Sequence, residues 1–331
     1  MSAAARDLLL ALSALQSRSG GELAARTGVT RAAVWKQVEA LRALGVPIVA
    51  RTGSGYRLAA PIDLLDAGII AEALPAPTRA RLDPIDVRWQ VDSTNSVLLR
   101  SAADDSRELV ACLAELQTRG RGRHGRDWHM PLAGGLALSL RRRFEASMGT
   151  LAGLSLAVGV ALVDALADAG VCGAGLKWPN DVVVDGRKLA GILIELAGDS
   201  LGPCHAVIGI GINVRLDARA AAAIDQPWVD LATLAGSTMP ARNALAAHVL
   251  AQLVAALDVF AARGFAAFAT GFADCDVLHG RMVRILAAHG ARDGIALGVD
   301  AIGRLRVRGD DGEFAVDSGE VSVRAGPGPG A

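Results

Sequence analysis

Hydrophobic spacing changes twice along the chain. Up to about residue 45, apolar residues recur every three or four positions, so DLLLALSAL (7–15), GELAARTG (21–28) and RAAVWKQVEALRAL (31–44) each predict an amphipathic helix. In the third, Val34, Val38 and Leu41 share the inner face, which leaves Arg31, Trp35, Lys36, Glu39 and Arg42 towards solvent. Thr30 offers a side-chain oxygen at the N-cap and Gly45 a left-handed stop at C′. The period then drops to two: PIVARTGSGYRLAA (47–60) reads as a hairpin around Gly53-Ser54-Gly55.

From about 65 to 270, strand-like runs alternate with helix-like stretches at 151–169 and 244–262, which predicts a mixed α/β domain. The runs are VACLAEL (110–116), LALSLRRRF (136–144), VVV (182–184), GILIEL (191–196) and HAVIGIGINV (205–214). Beyond 275, short runs such as GRLRVRG and EFAVD between Gly and Asp turns predict a small barrel, and GPGPGA a frayed tail. The expected organisation is an α+β multidomain chain with units at 1–62, 63–272 and 273–325 and a tail at 326–331. Its 331 residues exceed a usual single core.

Helix, helix-turn-helix and hairpin together spell a winged helix. The net charge of the chain is zero, which argues against a basic nucleic-acid binder as a whole. The first unit departs from that balance, with Arg6, Arg18, Arg26, Arg31, Lys36, Arg42, Arg51 and Arg57 set against only Asp7, Glu22 and Glu39. A recognition helix reads bases with its N-terminal residues while nearby cations hold phosphates. Arg31, Ala32, Trp35 and Lys36 are therefore the expected readers, and Arg51 and Arg57 on the wing the expected phosphate contacts. A three-helix protein-binding module is the competing reading.

Cys112, Cys172, Cys204 and Cys275 lie far apart with no C-x-x-C pair, which suggests neither a zinc site nor a redox motif, and no metal site is assigned. The longest apolar run, LAGLSLAVGVALV (151–163), ends at Asp164, short of the ~20 residues of a spanning helix. A cytoplasmic protein without membrane contact is expected.

RGRGRHGRDW (119–128) spells Gly120-x-Gly122-x-x-Gly125, a dinucleotide fingerprint, yet no helical pattern begins within it to hold a pyrophosphate. Arginine-rich RNA-binding segments are usually longer or repeated, whereas this one follows an apolar strand. A glycine-rich loop fits better, its amides and Arg121, Arg123 and Arg126 closing on a phosphate-bearing ligand. Three further stretches draw attention. KWPND (177–181) reads as a rigid turn before a strand. Ser93-Thr94-Asn95, between a strand and a helix, is on its own most simply a helix cap. Gly209 and Gly211 in VIGIGINV mark close approach of a ligand or another backbone.

In this order, TRAAVWKQVEALRALGV, GSGYRL, DSTN, AELQTRGRGRHGRDW, KWPNDVVVDGRKLAGILIEL and VIGIGINV resemble the biotin protein ligases, specifically the bifunctional kind that is also the biotin operon repressor. The resemblance implies a central ligase domain of the biotin/lipoyl type and an SH3-like C-terminal barrel. It implies an enzyme that uses ATP and Mg²⁺ to turn biotin into biotinyl-5′-AMP, then biotinylates one lysine of the biotin carboxyl carrier protein of acetyl-CoA carboxylase. Lys177 and Arg123 are the implied catalytic cations. Ser93, Thr94, Asn95, Gln117, Gly120, Arg121, Gly209 and Gly211 are the implied biotin site, joined by Arg123 and Lys177, with the two β-strand glycines leaving room for the bicyclic ring. Arg121, Arg123, Arg126, Trp128, Lys177, Asn180, Asn213 and Arg324 are implied at ATP and the adenylate. The resemblance further implies an adenylate-bound homodimer that binds operator DNA.

Three positions depart from the family pattern. His124 stands where a third loop arginine is common, Asp127 where a lysine is common, and Trp35 where the recognition helix often has a smaller polar residue. A lipoyl or octanoyl ligase and a ligand-sensing transcription factor without activity are the alternatives.

Overall fold

The structure is a computed structural model, and it describes residues 3–82, 84–102, 106–287, 290–318 and 322–325. The expected tail at 326–331 lies outside them. The first helix, α1 (Ala3–Ala11), begins and ends earlier than the 7–15 expected from spacing alone. The alanine-rich start favours helix, while the Ser13 hydroxyl accepts from the Leu15 and Gln16 amides and turns the chain away. Leu15 is left exposed. Helix α2 (Gly20–Thr27) opens with a capping box in which Ser19 and Glu22 bond each other's backbone amides. Helix α3 (Arg31–Ala43) is capped by Thr30, which accepts from the Ala33 amide. It stops at Gly45, whose φ of 89° is left-handed. Val34, Val38 and Leu41 are fully buried, and Trp35 is 57% exposed. Antiparallel β1 (Ile48–Arg51) and β2 (Gly55–Leu58) form the wing.

Two short helices, α4 (Ala67–Ala73) and α5 (Ala76–Leu82), lead into a seven-stranded sheet. Its strands are β3 (Asp86–Val91), β4 (Leu109–Gln117), β5 (Gly135–Phe144), β6 (Gly175–Lys177), β7 (Asp181–Val184), β8 (Arg187–Gly198) and β9 (Cys204–Asn213). They lie in the order β3-β4-β5-β9-β8-β7-β6. Only β3 and β4 run parallel, because the helical crossover α6 (Thr94–Arg100) joins them; the other pairs are antiparallel. Strand β4 is buried on both faces. Ala111 and Leu113 enter the main core with α7 (Leu154–Asp168), whereas Val110, Cys112 and Ala114 pack with Val97 and Leu98 of α6. That explains its unbroken apolar spelling. Burial pushes the Cys112 thiol up to about 12 and that of Cys275 to about 11, which keeps both protonated near neutrality.

After β9 the chain forms α8 (Ala218–Ala222), α9 (Leu231–Ala235), α10 (Arg242–Arg263) and α11 (Ala269–Cys275). Helix α10 alone among the described helices is long and apolar enough to cross a membrane, yet Leu245, Val249, Leu253 and Leu257 sit in the main core. The last unit is an antiparallel sheet of β10 (Met282–Ala287), β11 (Gly290–Val299), β12 (Leu305–Gly309), β13 (Gly312–Val316) and β14 (Ser322–Ala325), in the order β13-β12-β11-β10-β14. Among the described residues it is open between β13 and β14. Val283, Ile285, Ala296 and Val307 belong to the same core as the central sheet, so packing does not break where the pattern suggested a boundary. The Trp178 indole, buried, also donates across to the Gly303 carbonyl at 3.0 Å.

The winged helix is likewise seated. Its own cluster takes in Leu116 and Leu132 of the central unit. The Leu132 amide donates to the Leu44 carbonyl, and Arg219 of α8 to the Ala43 carbonyl. A buried ion pair lies close by, between Glu115 and Arg242 at 2.9 Å, each side chain 2% exposed. Arg242 also donates to the carbonyls of Gly135 and Asp63, and Glu115 accepts from the Leu65 amide.

Candidate active site

The seven-stranded sheet, the loop 119–128 and the segment 223–228 enclose a cleft of about 630 Å³. Its lining includes Ser93, Thr94, Asn95, Gln117, Arg121, Arg123, Arg126, Trp128, Lys177, Asn180, Gly209, Gly211 and Asn213. Spread over more than a hundred residues of sequence, these positions meet because β4, β8 and β9 are close in one sheet and β6 follows at its edge.

One set of lining groups is neutral and directional. Ser93 occupies the N-cap position of α6 but makes no side-chain cap bond, so the simple cap reading does not hold. The Gln117 carbonyl oxygen instead accepts from the Thr94 amide at 2.8 Å and from its hydroxyl at 3.2 Å. Ser139 on β5, fully buried, donates to Asn95 Oδ1 at 2.6 Å, and its Oγ lies 2.7 Å from Thr94 Oγ1. Hidden inside the apolar run LALSL, Ser139 gave no signal beyond being the one hydroxyl there.

A second set is cationic or aromatic. Lys177 ends β6, half-buried, just before a cis Trp178–Pro179 bond. Arg123 donates to Asn180 Oδ1 at 3.5 Å, and Asn180 Nδ2 donates to the Ile192 carbonyl at 2.9 Å. Burial lowers the Arg123 pKa, opposed by the Asp181 carboxylate and reinforced by Arg126. Lys188 pairs with Asp181 at 2.7 Å and lies 5.6 Å from the centre of the Trp128 ring. Nothing in the sequence marks Lys188, and Asp181 reads there only as a turn residue bonding local backbone, although both stand inside the KWPND and GRKLAG stretches. Trp228 and Ile224 of the 223–228 segment also face the cleft. They were missed because that segment carries no regular pattern.

The loop is shaped by its own bonds. The Gly122 amide donates to the Arg126 carbonyl at 2.7 Å and the Trp128 amide to the Gly120 carbonyl at 2.9 Å. A short 3₁₀ turn at Arg123–Gly125 carries His124 at φ 56°, with no α-helix beginning in the motif. The dinucleotide reading thus fails on geometry as well. Gly120 is required by close approach, since a Cβ there would lie 2.6 Å from the Trp128 carbonyl oxygen.

The room left by Gly209 and Gly211 is filled by the protein: a Cβ on Gly209 would overlap the Asn95 amide, and one on Gly211 would lie 2.5 Å from the Trp128 ring. Both glycines therefore seat side chains that line the cleft. Asn213 is buried and donates to the carbonyls of Lys188 and Val229, bracing the wall. Arg324 lies on β14 opposite Arg284, and its side chain falls outside the described residues. Far from the cleft, Arg31, Ala32, Trp35 and Lys36 share the exposed side of α3, and Arg51 is exposed on the wing. Arg57 is half-buried and donates to the carbonyls of Ala14 and Leu58, so its guanidinium is tied to the domain itself. Among the described residues no cluster of three metal-ligating side chains occurs.

Comparison with known proteins finds a match for each part of the chain. A model of the biotin/lipoate A/B protein ligase family matches residues 88–213, one of an HTH domain residues 5–57, and one of the biotin protein ligase C-terminal domain residues 278–324. The chain is 37% identical to the bifunctional ligase/repressor BirA of Salmonella typhimurium over 93% of each chain. It is 36% identical to that of Escherichia coli over the same shares. The solved biotin protein ligase from Aquifex aeolicus in complex with biotin and ATP superposes with a TM-score of 0.62 at 27% identity, covering 73% of this chain and 99% of its own. Matched over nearly its whole length and by all three domain models, the chain belongs to the biotin protein ligase family, with the domain set of its bifunctional ligase/repressor members.

Proposed function

We propose that the chain activates biotin with ATP, transfers it to a lysine of the biotin carboxyl carrier protein of acetyl-CoA carboxylase, and represses the biotin operon through its winged helix. One observation carries the enzymatic reading: a single cleft is lined both by neutral hydrogen-bonding groups, Ser93, Thr94 and Gln117, and by the cations Arg123, Lys177 and Lys188. Biotin presents an uncharged ureido ring at one end and a carboxylate at the other, and the two halves suit those partners.

In the first step the biotin carboxylate oxygen attacks the α-phosphorus of ATP, and the bond to pyrophosphate breaks. Both reactants are anionic, so Lys177 and Arg123 bring them together and stabilise the charge that builds on the phosphoryl oxygens. Burial of Arg123 strengthens that effect by excluding water. Trp128 supplies an aromatic face for adenine. Asp181, which lines the cleft, would be a carboxylate ligand for Mg²⁺, and the ion would neutralise charge on the ATP phosphates. In the second step the carrier lysine amine attacks the acyl carbon and AMP leaves. Until then the loop 119–128 keeps water from the mixed anhydride.

For repression, Arg31, Ala32, Trp35 and Lys36 face the operator bases and Arg51 its phosphates, in a homodimer formed when adenylate is bound. The protein acts in the cytoplasm. The deciding experiment is biotin-dependent exchange between ATP and pyrophosphate, with mass detection of biotinyl-AMP. No exchange by the wild-type protein would refute the enzymatic reading, and exchange with lipoate in place of biotin would redirect it.

A further inference from the structure

We infer that Glu195 is the anchor that holds the 119–128 loop against the sheet, a positioning residue that sets how long the adenylate is retained and not how fast it forms; this rests on the function proposed above. Arg121 of the loop donates through Nη2 to both carboxylate oxygens of Glu195, each at 2.9 Å. The carboxylate is itself fixed before it meets the loop. Its Oε2 accepts from Asn95 Nδ2 at 2.8 Å, and Asn95, 2% exposed, also donates to the Leu193 carbonyl and accepts from Ser139. Gly209 leaves the space in which that amide sits. Loop, β8, α6 and β5 are thereby joined by one chain of bonds running from Arg121 through Glu195 and Asn95 to Ser139.

The pair has the geometry to act as a clasp. The Arg121 and Glu195 side chains are 41% and 29% exposed, open enough to part without unfolding the sheet. By comparison, the contact from Arg123 to Asn180 is longer, at 3.5 Å. The Arg119 amide, donating to the Asp92 carbonyl, and the Trp128 ring over Gly211 hold the two ends of the loop to the sheet, and Glu195 clasps the stretch between them through Arg121. Releasing the clasp leaves Lys177 in place at the end of β6, while the loop, Arg123 included, lifts more often and closes again onto Asn180.

The test uses full-length protein carrying Glu195→Gln, which removes the charge but keeps an oxygen acceptor for Asn95. Three readouts are compared with wild type: single-turnover formation of biotinyl-AMP, release of preformed biotinyl-AMP into a chase of excess biotin, and the rate at which trypsin cuts after the loop arginines in ligand-free protein. The expected result is release and cutting each faster by about fivefold, with formation within about twofold of wild type. Wild-type rates of release and cutting would overturn the anchor, and so would a loss of formation matching the gain in release. If wild-type protein makes no adenylate, the proposed function fails while the trypsin comparison still decides the anchor. Should Glu195→Gln not fold, Arg121→Lys removes the guanidinium fork, and unchanged cutting in that variant overturns the inference equally.

Discussion

Two surfaces of this molecule are built from arginine, lysine and tryptophan, and they are prepared in opposite ways. On α3, Arg31, Lys36 and Trp35 stand exposed, and among the described residues neither Arg31 nor Lys36 forms an ion pair. In the cleft, Arg121 is clasped by Glu195, Lys188 is paired with Asp181, and Arg123 is partly desolvated beside Asp181. The difference follows from the partner each surface suits. A duplex brings many phosphates and releases counterions, so loose cations suffice. A single small anion offers a few oxygens, and binding it requires cations already positioned at low entropic cost.

The comparison breaks most visibly at Lys177. If the cleft is the preorganised surface, Lys177→Ala lowers single-turnover formation of biotinyl-AMP by about 10²–10³-fold while operator affinity measured without ligand stays at the wild-type value. An unchanged formation rate would remove Lys177 from the chemistry. Next in size is the ion pair beneath both surfaces. Glu115→Gln strands the Arg242 charge in a buried site and is expected to cost about 3–5 kcal/mol of stability, read from denaturant midpoints. Because Arg242 also holds Asp63 next to the winged helix, DNA binding and adenylation should be lost together on one melting curve. Two separated transitions would show that the surfaces stand on independent foundations. A smaller effect is expected on α3: Arg31→Ala with Lys36→Ala should weaken operator binding and reduce the slope of log affinity against log salt by about one per residue. Ligation should not change.

How far these surfaces were legible in the sequence differs in the same way. The winged helix could be read almost residue by residue, because caps, helical period and hairpin glycines are local signals; only α1 shifted, where Ser13 competes for the backbone. The cleft was legible as motifs, with Lys177, Arg123, Gln117 and Thr94 all brought to one cavity. Its supporting shell was not. Ser139, Glu195 and Lys188 matter through partners far away in sequence, and nothing in a single strand announces that Asn95 sits over Gly209. Arg57 illustrates the converse, a cation that composition marks for phosphate and that packing turns inward onto Ala14. The joining of the central and C-terminal cores was also hidden, since an apolar residue does not state which apolar surface it meets.

The smallest expected effect concerns the turn that presents Ser93 to the cleft, and it sharpens the contrast because this site too is held by a paired arginine. Arg100 donates to both oxygens of Asp92 at 2.7 and 3.0 Å, and Asp92 Oδ1 accepts from the Ser93 amide at 2.9 Å. The Arg100 guanidinium holds the Asp92 carboxyl well below the usual carboxylate range. A carboxyl depressed on folding contributes stability above its unfolded pKa of about 3.9 and loses it as pH falls through the lower folded value. This pair therefore adds no pH dependence between 5 and 8. Both side chains are substantially exposed, which keeps its contribution small. Arg100→Met should return the Asp92 titration towards about 4, followed by NMR through the carboxyl carbon and the Ser93 amide. Biotin affinity at neutral pH should fall only slightly, because the carboxylate remains ionised there and continues to accept the Ser93 amide. An Asp92 titration left in place by Arg100→Met would show that the backbone amides, rather than the guanidinium, hold the turn.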